Sequence, residues 1–152
     1  MNRKVNVILG LGVALMSAIA IFVLFSYAFN DSQDLNYNGQ SVFTAMFSNA
    51  SHNKPAVPGL IVAFSLEIAA FVFAIAAGIL TGKASSLTYA LTFVFLLVAG
   101  ILFLNAWNVY CAADPQSGKD SITIGSGTIC SVVFAFIGAV LSLYGAYSNF
   151  KS

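Results

Sequence analysis

Charged residues are scarce in this sequence: Asp, Glu, Lys and Arg make up only 7% of its 152 residues, whereas 59% are hydrophobic. Because soluble domains carry about 25% charged residues, this composition excludes an ordinary soluble fold and indicates a membrane protein surrounded by the lipid bilayer. The formal net charge is only +1. Without a basic patch to neutralise phosphates, the chain is not expected to bind nucleic acid.

Residues that carry catalysis or bind metals are also few. His52 is the sole histidine, which excludes bis-histidine haem ligation within one chain and a histidine-rich zinc site. No arginine follows Arg3, and Glu67 is the only carboxylate inside a long apolar run. These residues do not combine into a nucleophile, a base and an oxyanion donor. We therefore expect no enzymatic activity, no cofactor and no metal.

Four apolar runs are long enough to span a bilayer, which takes about 20 helical residues. They cover residues 5–28, 57–80, 86–110 and 124–147. The first run is longer than the apolar region of a signal peptide, about 7–15 residues, and is predicted to be a retained helix. The expected fold is all-α: one domain over residues 1–152, a bundle of four transmembrane helices with a long first and a shorter second extracytoplasmic loop.

The lysines and arginines predict the orientation of these helices, because cytoplasmic loops are enriched in both residues. All four aspartates fall on the other side of the predicted bundle, together with Lys54 and Lys119. We therefore expect a multi-pass protein of the plasma (cytoplasmic) membrane with both termini in the cytoplasm. The basic residues on the predicted cytoplasmic side are Arg3, Lys4, Lys83 and Lys151.

Small residues recur at helical spacing and predict the faces through which the helices pack, because lipid supplies no hydrophobic drive between helices. In the fourth helix they alternate spacings of three and four, which averages 3.5, the period of a left-handed seam. The third helix has few small residues and is expected to present more of its surface to lipid. The predicted packing residues are Gly10, Ala14 and Ala18 in the first helix, Ala63, Ala70, Ala74 and Gly78 in the second, and Ser131, Ala135, Gly138, Ser142 and Gly145 in the fourth.

Glu67 falls near the middle of the second run, on its face of small residues. A charge at that depth costs roughly 2.5–3.5 kcal/mol on insertion scales, and no lysine or arginine lies at a similar depth to pair with it. We favour a protonated carboxyl that hydrogen-bonds a neighbouring helix. The alternative is a site that binds a proton or a cation. The candidate hydrogen-bond partners are Ser17, Thr92, Asn105 and Ser131.

The two cysteines are both predicted to lie toward the outer side. Cys111 opens the second outer loop, and Cys130 lies about two turns into the predicted fourth helix. A disulfide between them would close a loop of about 20 residues and contribute on the order of 3 kcal/mol. We favour this disulfide over two unpaired thiols. A redox enzyme is not expected, because the sequence has no Cys-x-x-Cys pair.

The layout of four helices, cytoplasmic termini, a long first outer loop and a shorter second one is similar to that of the claudin-like class of small tetraspan membrane proteins. This resemblance covers the whole chain in topology alone. The tryptophan and paired cysteines that mark the claudin first loop are absent from residues 29–56. No functional residue is therefore carried over from that class.

Two functions follow from these features. We favour a non-enzymatic structural or interaction protein, a bundle that forms homo-oligomers or serves as an accessory subunit of another membrane protein. The small-residue faces and the scarcity of polar groups in the apolar runs support it. The alternative is a channel or transporter subunit in which Glu67 lines a pathway and binds a proton or a cation.

Overall fold

The structure, a computed structural model, describes residues 1–25, 29–31, 43, 46, 56–106, 108–109 and 122–151. This part of the chain contains four long helices, each long and apolar enough to span a membrane. The predicted four-helix architecture is therefore confirmed. The helices are α1 (Arg3–Phe22), α2 (Pro58–Ile79), α3 (Gly82–Leu104) and α4 (Ser126–Lys151).

The helices differ from the predicted apolar runs mainly at their ends. Asn2 caps the first turn of α1 by accepting a hydrogen bond from the Lys4 N–H at 3.1 Å, and α1 is followed by a 3-10 turn at Val23–Phe25. α4 continues past the predicted end at 147 to Lys151. Polar residues such as those at the end of α4 continue a helix without adding to its hydropathy, so hydropathy alone misplaced these ends.

The chain reverses direction between α2 and α3 within two residues, Leu80 and Thr81. α3 therefore begins at Gly82, four residues before the start of the third predicted run at residue 86. Gly82 has a φ of +60°, a left-handed conformation that glycine adopts without the steric penalty of a Cβ atom. This glycine allows the tight reversal.

Each helix packs against its neighbours in sequence, and α4 completes the ring by packing against α1. α2 and α4 are therefore diagonal to one another, as are α1 and α3. One end of the bundle holds the start of α1, the reversal between α2 and α3, and the end of α4. We call this the termini end.

A short two-stranded ladder lies at the opposite end, which we call the strand end. Strand β1 (Phe29–Asp31) pairs antiparallel with strand β2 (Ile122–Ile124), so that Phe29 lies opposite Ile124. The all-α prediction missed this pairing, because three-residue strands are too short to produce a recognisable alternation of apolar and polar residues. The ladder links the segment after α1 to the segment before α4.

Large apolar side chains cover the outside of the bundle, while the inside holds many small and polar side chains beside a few large apolar ones. Ile8 is 69% exposed and Val140 66% exposed, whereas Ala70 and Ala135 are fully buried. The prediction that α3 presents more surface than the other helices is wrong: 39% of its most apolar stretch is buried, against 33% in α1 and α2. Some of its large residues face α4, where Leu96 lies against Gly138 and Tyr89 against Gly145.

Candidate functional site

Glu67 lies inside the bundle with its side chain fully buried. The Ser131 hydroxyl donates a hydrogen bond to Glu67 Oε1 at 3.0 Å. Because Glu67 is on α2 and Ser131 on α4, which are diagonal to each other, this bond crosses the interior instead of a seam between adjacent helices. The side chains of Glu67 and Ser131 therefore meet in the interior of the bundle.

The other candidate partners of Glu67 bond elsewhere or have no bond. Thr92 Oγ1 donates to the carbonyl of Thr88 at 2.9 Å, and Asn105 Nδ2 to the carbonyl of Ile101 at 2.9 Å. Both bonds stay within α3. Among the described residues, Ser131 is therefore the hydrogen-bond partner of Glu67.

Two buried polar atoms have no hydrogen-bond partner in the described part of the chain, Glu67 Oε2 and Ser17 Oγ. Gly10 of α1 lies against Gly78 and Ala74 of α2, so these antiparallel helices bring Ser17 to roughly the level of Glu67 at about 1.5 Å of rise per residue. An unpaired buried polar atom costs about 1–3 kcal/mol. The two unpaired atoms thus lie inside the bundle at roughly the same level.

A second polar group, which sequence reasoning missed, lies at the termini end. We call it the Asn6 cluster, and it consists of Asn6, Ser85, Tyr89 and Asn149, all buried. Asn149 Nδ2 donates to Asn6 Oδ1 at 2.9 Å, and the Tyr89 hydroxyl donates to the backbone carbonyl of Asn6 at 3.0 Å. The cluster therefore joins α1, α3 and α4.

The Asn6 amide also caps the C-terminal end of α2. Its Nδ2 lies 3.0 Å from the carbonyl oxygen of Ala77, 3.2 Å from that of Gly78 and 2.9 Å from that of Leu80. Carbonyls in the last turn of a helix have no partner within the helix. Ser85 adds to the cap by donating to the Ala77 carbonyl at 2.7 Å. Asn6 thereby connects α1 to α2 and completes the link among all four helices.

The sequence did carry a signal for this cluster. The stripe of small residues in α1 begins at Gly10, and one step of four residues back leads to Asn6. The stripe in α4 ends at Gly145, and one step of four residues onward leads to Asn149. Polar side chains that continue a packing stripe are placed to hydrogen-bond across it.

The predicted packing residues lie mostly inside the bundle. The closest approach is at Gly10, where an added Cβ atom would lie 2.7 Å from the Cα atom of Gly78. Ala18 is only half-buried, because the buried face of α1 continues through Ser17 and Ala20. The other predicted packing residues are all buried: Ala14, Ala63, Ala70, Ala74, Ser131, Ala135, Gly138, Ser142 and Gly145.

The disulfide between Cys111 and Cys130 stays a prediction, because only one of the two cysteines lies among the described residues. Cys130 is a free thiol with an exposed side chain, on the face of α4 that turns away from the other helices. Cys111 lies outside the described residues. The described residues also contain no group of three or more His, Cys, Asp or Glu side chains that could hold a metal ion.

Comparisons with protein-family models, with curated proteins and with solved structures found no match. The local geometry consequently carries the functional interpretation. It consists of a buried carboxyl with one bond across the bundle, and a hydrogen-bonded cap that holds the four helices together at the termini end.

Proposed function

We propose that this chain is a multi-pass protein of the plasma (cytoplasmic) membrane, with both termini in the cytoplasm. The distribution of side chains supports insertion, because a soluble bundle rarely exposes such large contiguous apolar surfaces. The basic residues Arg3, Lys4, Lys83 and Lys151 lie at or near the termini end, which favours a cytoplasmic position for that end.

Within the membrane, the bundle acts as a non-enzymatic structural or interaction protein. The observation that carries this proposal is the close packing of its interior. Backbones touch where Gly10 meets Gly78, and the buried polar groups bond mainly to other helices or to their own. An interior filled by side chains leaves the outer faces and the segments beyond the helices as the surfaces that engage other copies or another membrane protein.

The oligomeric state of the full chain in a bilayer tests this proposal. We expect single-molecule photobleaching of a fluorescently labelled chain in lipid nanodiscs to show more than one copy per particle, or a stoichiometric membrane partner to co-purify. Glu67→Gln should assemble as the wild type does, because glutamine keeps an oxygen that accepts the Ser131 bond. A wild-type chain that stays monomeric and partnerless would contradict the proposal.

A second candidate function is proton or cation binding at Glu67 in a channel or transporter subunit. The unpaired Oε2 atom of Glu67 and the unpaired hydroxyl of Ser17 favour it, because such atoms are ready ligands for a proton, a water molecule or a small cation. Proton and sodium flux into liposomes containing the protein tests it. Equal flux for the wild type and Glu67→Gln would remove this candidate.

A further inference from the structure

A groove lies on the outer surface of α1 at the termini end. It has a volume of about 590 Å³ and is lined by Asn2, Arg3, Lys4, Val7 and Ile8. The surface that lines it is almost entirely apolar, and two of its five lining residues, Arg3 and Lys4, are basic. This combination fits a ligand that carries a negative charge beside a hydrocarbon portion.

No acidic side chain of α1, α3 or α4 balances the positive charge at the groove. Arg3 and Lys4 are both exposed, and no Asp or Glu occurs in residues 1–25, 68–110 or 124–152. Lys151, at the same end, instead lies over the ring of Tyr147, with Nζ 4.5 Å from the ring centroid. Arg3 and Lys4 therefore supply the positive charge beside the groove, with no acidic side chain on the same helix.

One backbone donor of the first turn of α1 already has a partner within the protein. The N–H of Lys4 already donates to the side chain of Asn2 at 3.1 Å. An anion in the groove would be bound by the guanidinium of Arg3 and the ammonium of Lys4. A guanidinium can donate two parallel hydrogen bonds to one phosphate group.

The apolar side of the groove continues along α1 toward the middle of the bundle. Ile8 is 69% exposed, Leu11 57% and Leu15 56%, and their spacing of three and four places them on the same face as Lys4. From Lys4 to Leu15 this face is about 16 Å long at 1.5 Å per residue. That length matches one leaflet of a hydrocarbon core about 30 Å thick.

We propose that this groove binds an anionic phospholipid, with its phosphate at Arg3 and Lys4 and an acyl chain along Ile8, Leu11 and Leu15. The proposal rests on membrane insertion, which is part of the proposed function. Insertion is tested separately, by whether the wild-type chain stays in the membrane fraction after alkaline carbonate extraction. Loss of the chain from that fraction would overturn insertion itself. Phospholipid binding, measured by native mass spectrometry, tests the groove alone.

Native mass spectrometry of the full chain in an uncharged detergent tests the lipid site, with phosphatidylglycerol and phosphatidylcholine as probes. We expect the wild type to prefer phosphatidylglycerol, and the double variant Arg3→Gln/Lys4→Gln to bind it about 30-fold more weakly, since each basic residue near a lipid headgroup contributes about five- to sixfold in affinity. Circular dichroism verifies that the double variant is folded.

The matched control is Lys83→Gln/Lys151→Gln, which removes two positive charges outside the groove. It should keep at least a third of the wild-type affinity for phosphatidylglycerol. An equal loss in both double variants would overturn the site, because the attraction would then be diffuse. Unchanged binding in Arg3→Gln/Lys4→Gln would overturn it as well.

Inorganic phosphate distinguishes a lipid site from a site for a free anion. At equal concentration it should fail to displace phosphatidylglycerol, because it lacks the acyl chain that contacts Ile8 and Leu11. Full displacement by phosphate would show that the groove recognises a free anion and would overturn the lipid assignment.

Discussion

Replacing Asn6 by alanine should destabilise the bundle more than the removal of any other single polar side chain at the termini end. The Asn6 amide has two N–H donors, although its Nδ2 lies within 3.2 Å of four acceptors. Its Oδ1 accepts a third bond, from Asn149 at 2.9 Å. At most two donated bonds and one strong accepted bond are therefore lost together.

The magnitude follows from measured interhelical hydrogen bonds in membranes, which average about 0.6 kcal/mol and reach about 1.7 kcal/mol. Three such bonds give about 2 kcal/mol. The last carbonyls of α2 and the amide of Asn149 also lose a partner in a buried site, and such losses cost about 1–3 kcal/mol. We expect Asn6→Ala to lower the free energy of unfolding by about 2–4 kcal/mol.

Unfolding in mixed micelles with increasing sodium dodecyl sulfate, followed by circular dichroism, measures this change. Asn105→Ala is the matched control, because Asn105 is exposed and, among the described residues, its side-chain amide donates to the carbonyl of Ile101 in the preceding turn. It should cost about 0.5 kcal/mol or less, as surface substitutions usually do. Equal losses in the two variants would refute the role of Asn6 as the link among the four helices.

Three further predictions address the interior and the outer face. Gly10→Ala should cost about 1–3 kcal/mol, because the added Cβ would lie 2.7 Å from the Gly78 backbone. Gly12→Ala is its control and should be neutral or stabilising, because no atom lies within 4 Å of the added Cβ. Equal effects of the two variants in micelle unfolding would count against the close approach of α1 and α2. In the same assay, Ser131→Ala should lower the free energy of unfolding by about 0.6–1.7 kcal/mol, and Glu67→Gln should lower it by less than about 0.5 kcal/mol. A larger decrease for Glu67→Gln would mean that the carboxyl group itself is required. Cys130 should be alkylated by a lipid-soluble maleimide without prior reduction, because its thiol is free and exposed. Labelling of the Cys130 peptide only after reduction, as seen by mass spectrometry, would instead support the predicted disulfide with Cys111.

The helices could be predicted from the sequence because one physical requirement sets their composition. A segment that crosses hydrocarbon must be apolar over about 20 residues, and segments that pack there need small residues on one face. Both requirements act within a single helix and leave a local pattern. Glu67 stood out for the same reason, as a carboxyl group inside such a segment.

The Asn6 cluster and the strand ladder depend on segments far apart in the chain, and local patterns could not reveal them. Asn6 and Asn149 are 143 residues apart, and each alone resembles an ordinary polar residue near a helix end. The reversal at Leu80 fixes where α2 ends, and the position of that end determines which carbonyl groups Asn6 caps. The partner of Glu67 was ambiguous for the same reason, since choosing among four candidates required knowing that α2 and α4 are diagonal.

The closure of the bundle around Glu67 can be measured most directly with a hydrophobic carbodiimide, which modifies protonated carboxyl groups that it can reach from lipid or from a pathway. The side chain of Glu67 is fully buried, so we predict no adduct on Glu67 in the folded protein in bilayers. Glu67→Gln supplies the adduct-free reference, and the same reaction on wild-type chain unfolded in dodecyl sulfate supplies the positive control. A carbodiimide adduct on Glu67 in the folded protein, identified by peptide mass, would contradict the closed interior and favour an accessible pathway through the bundle.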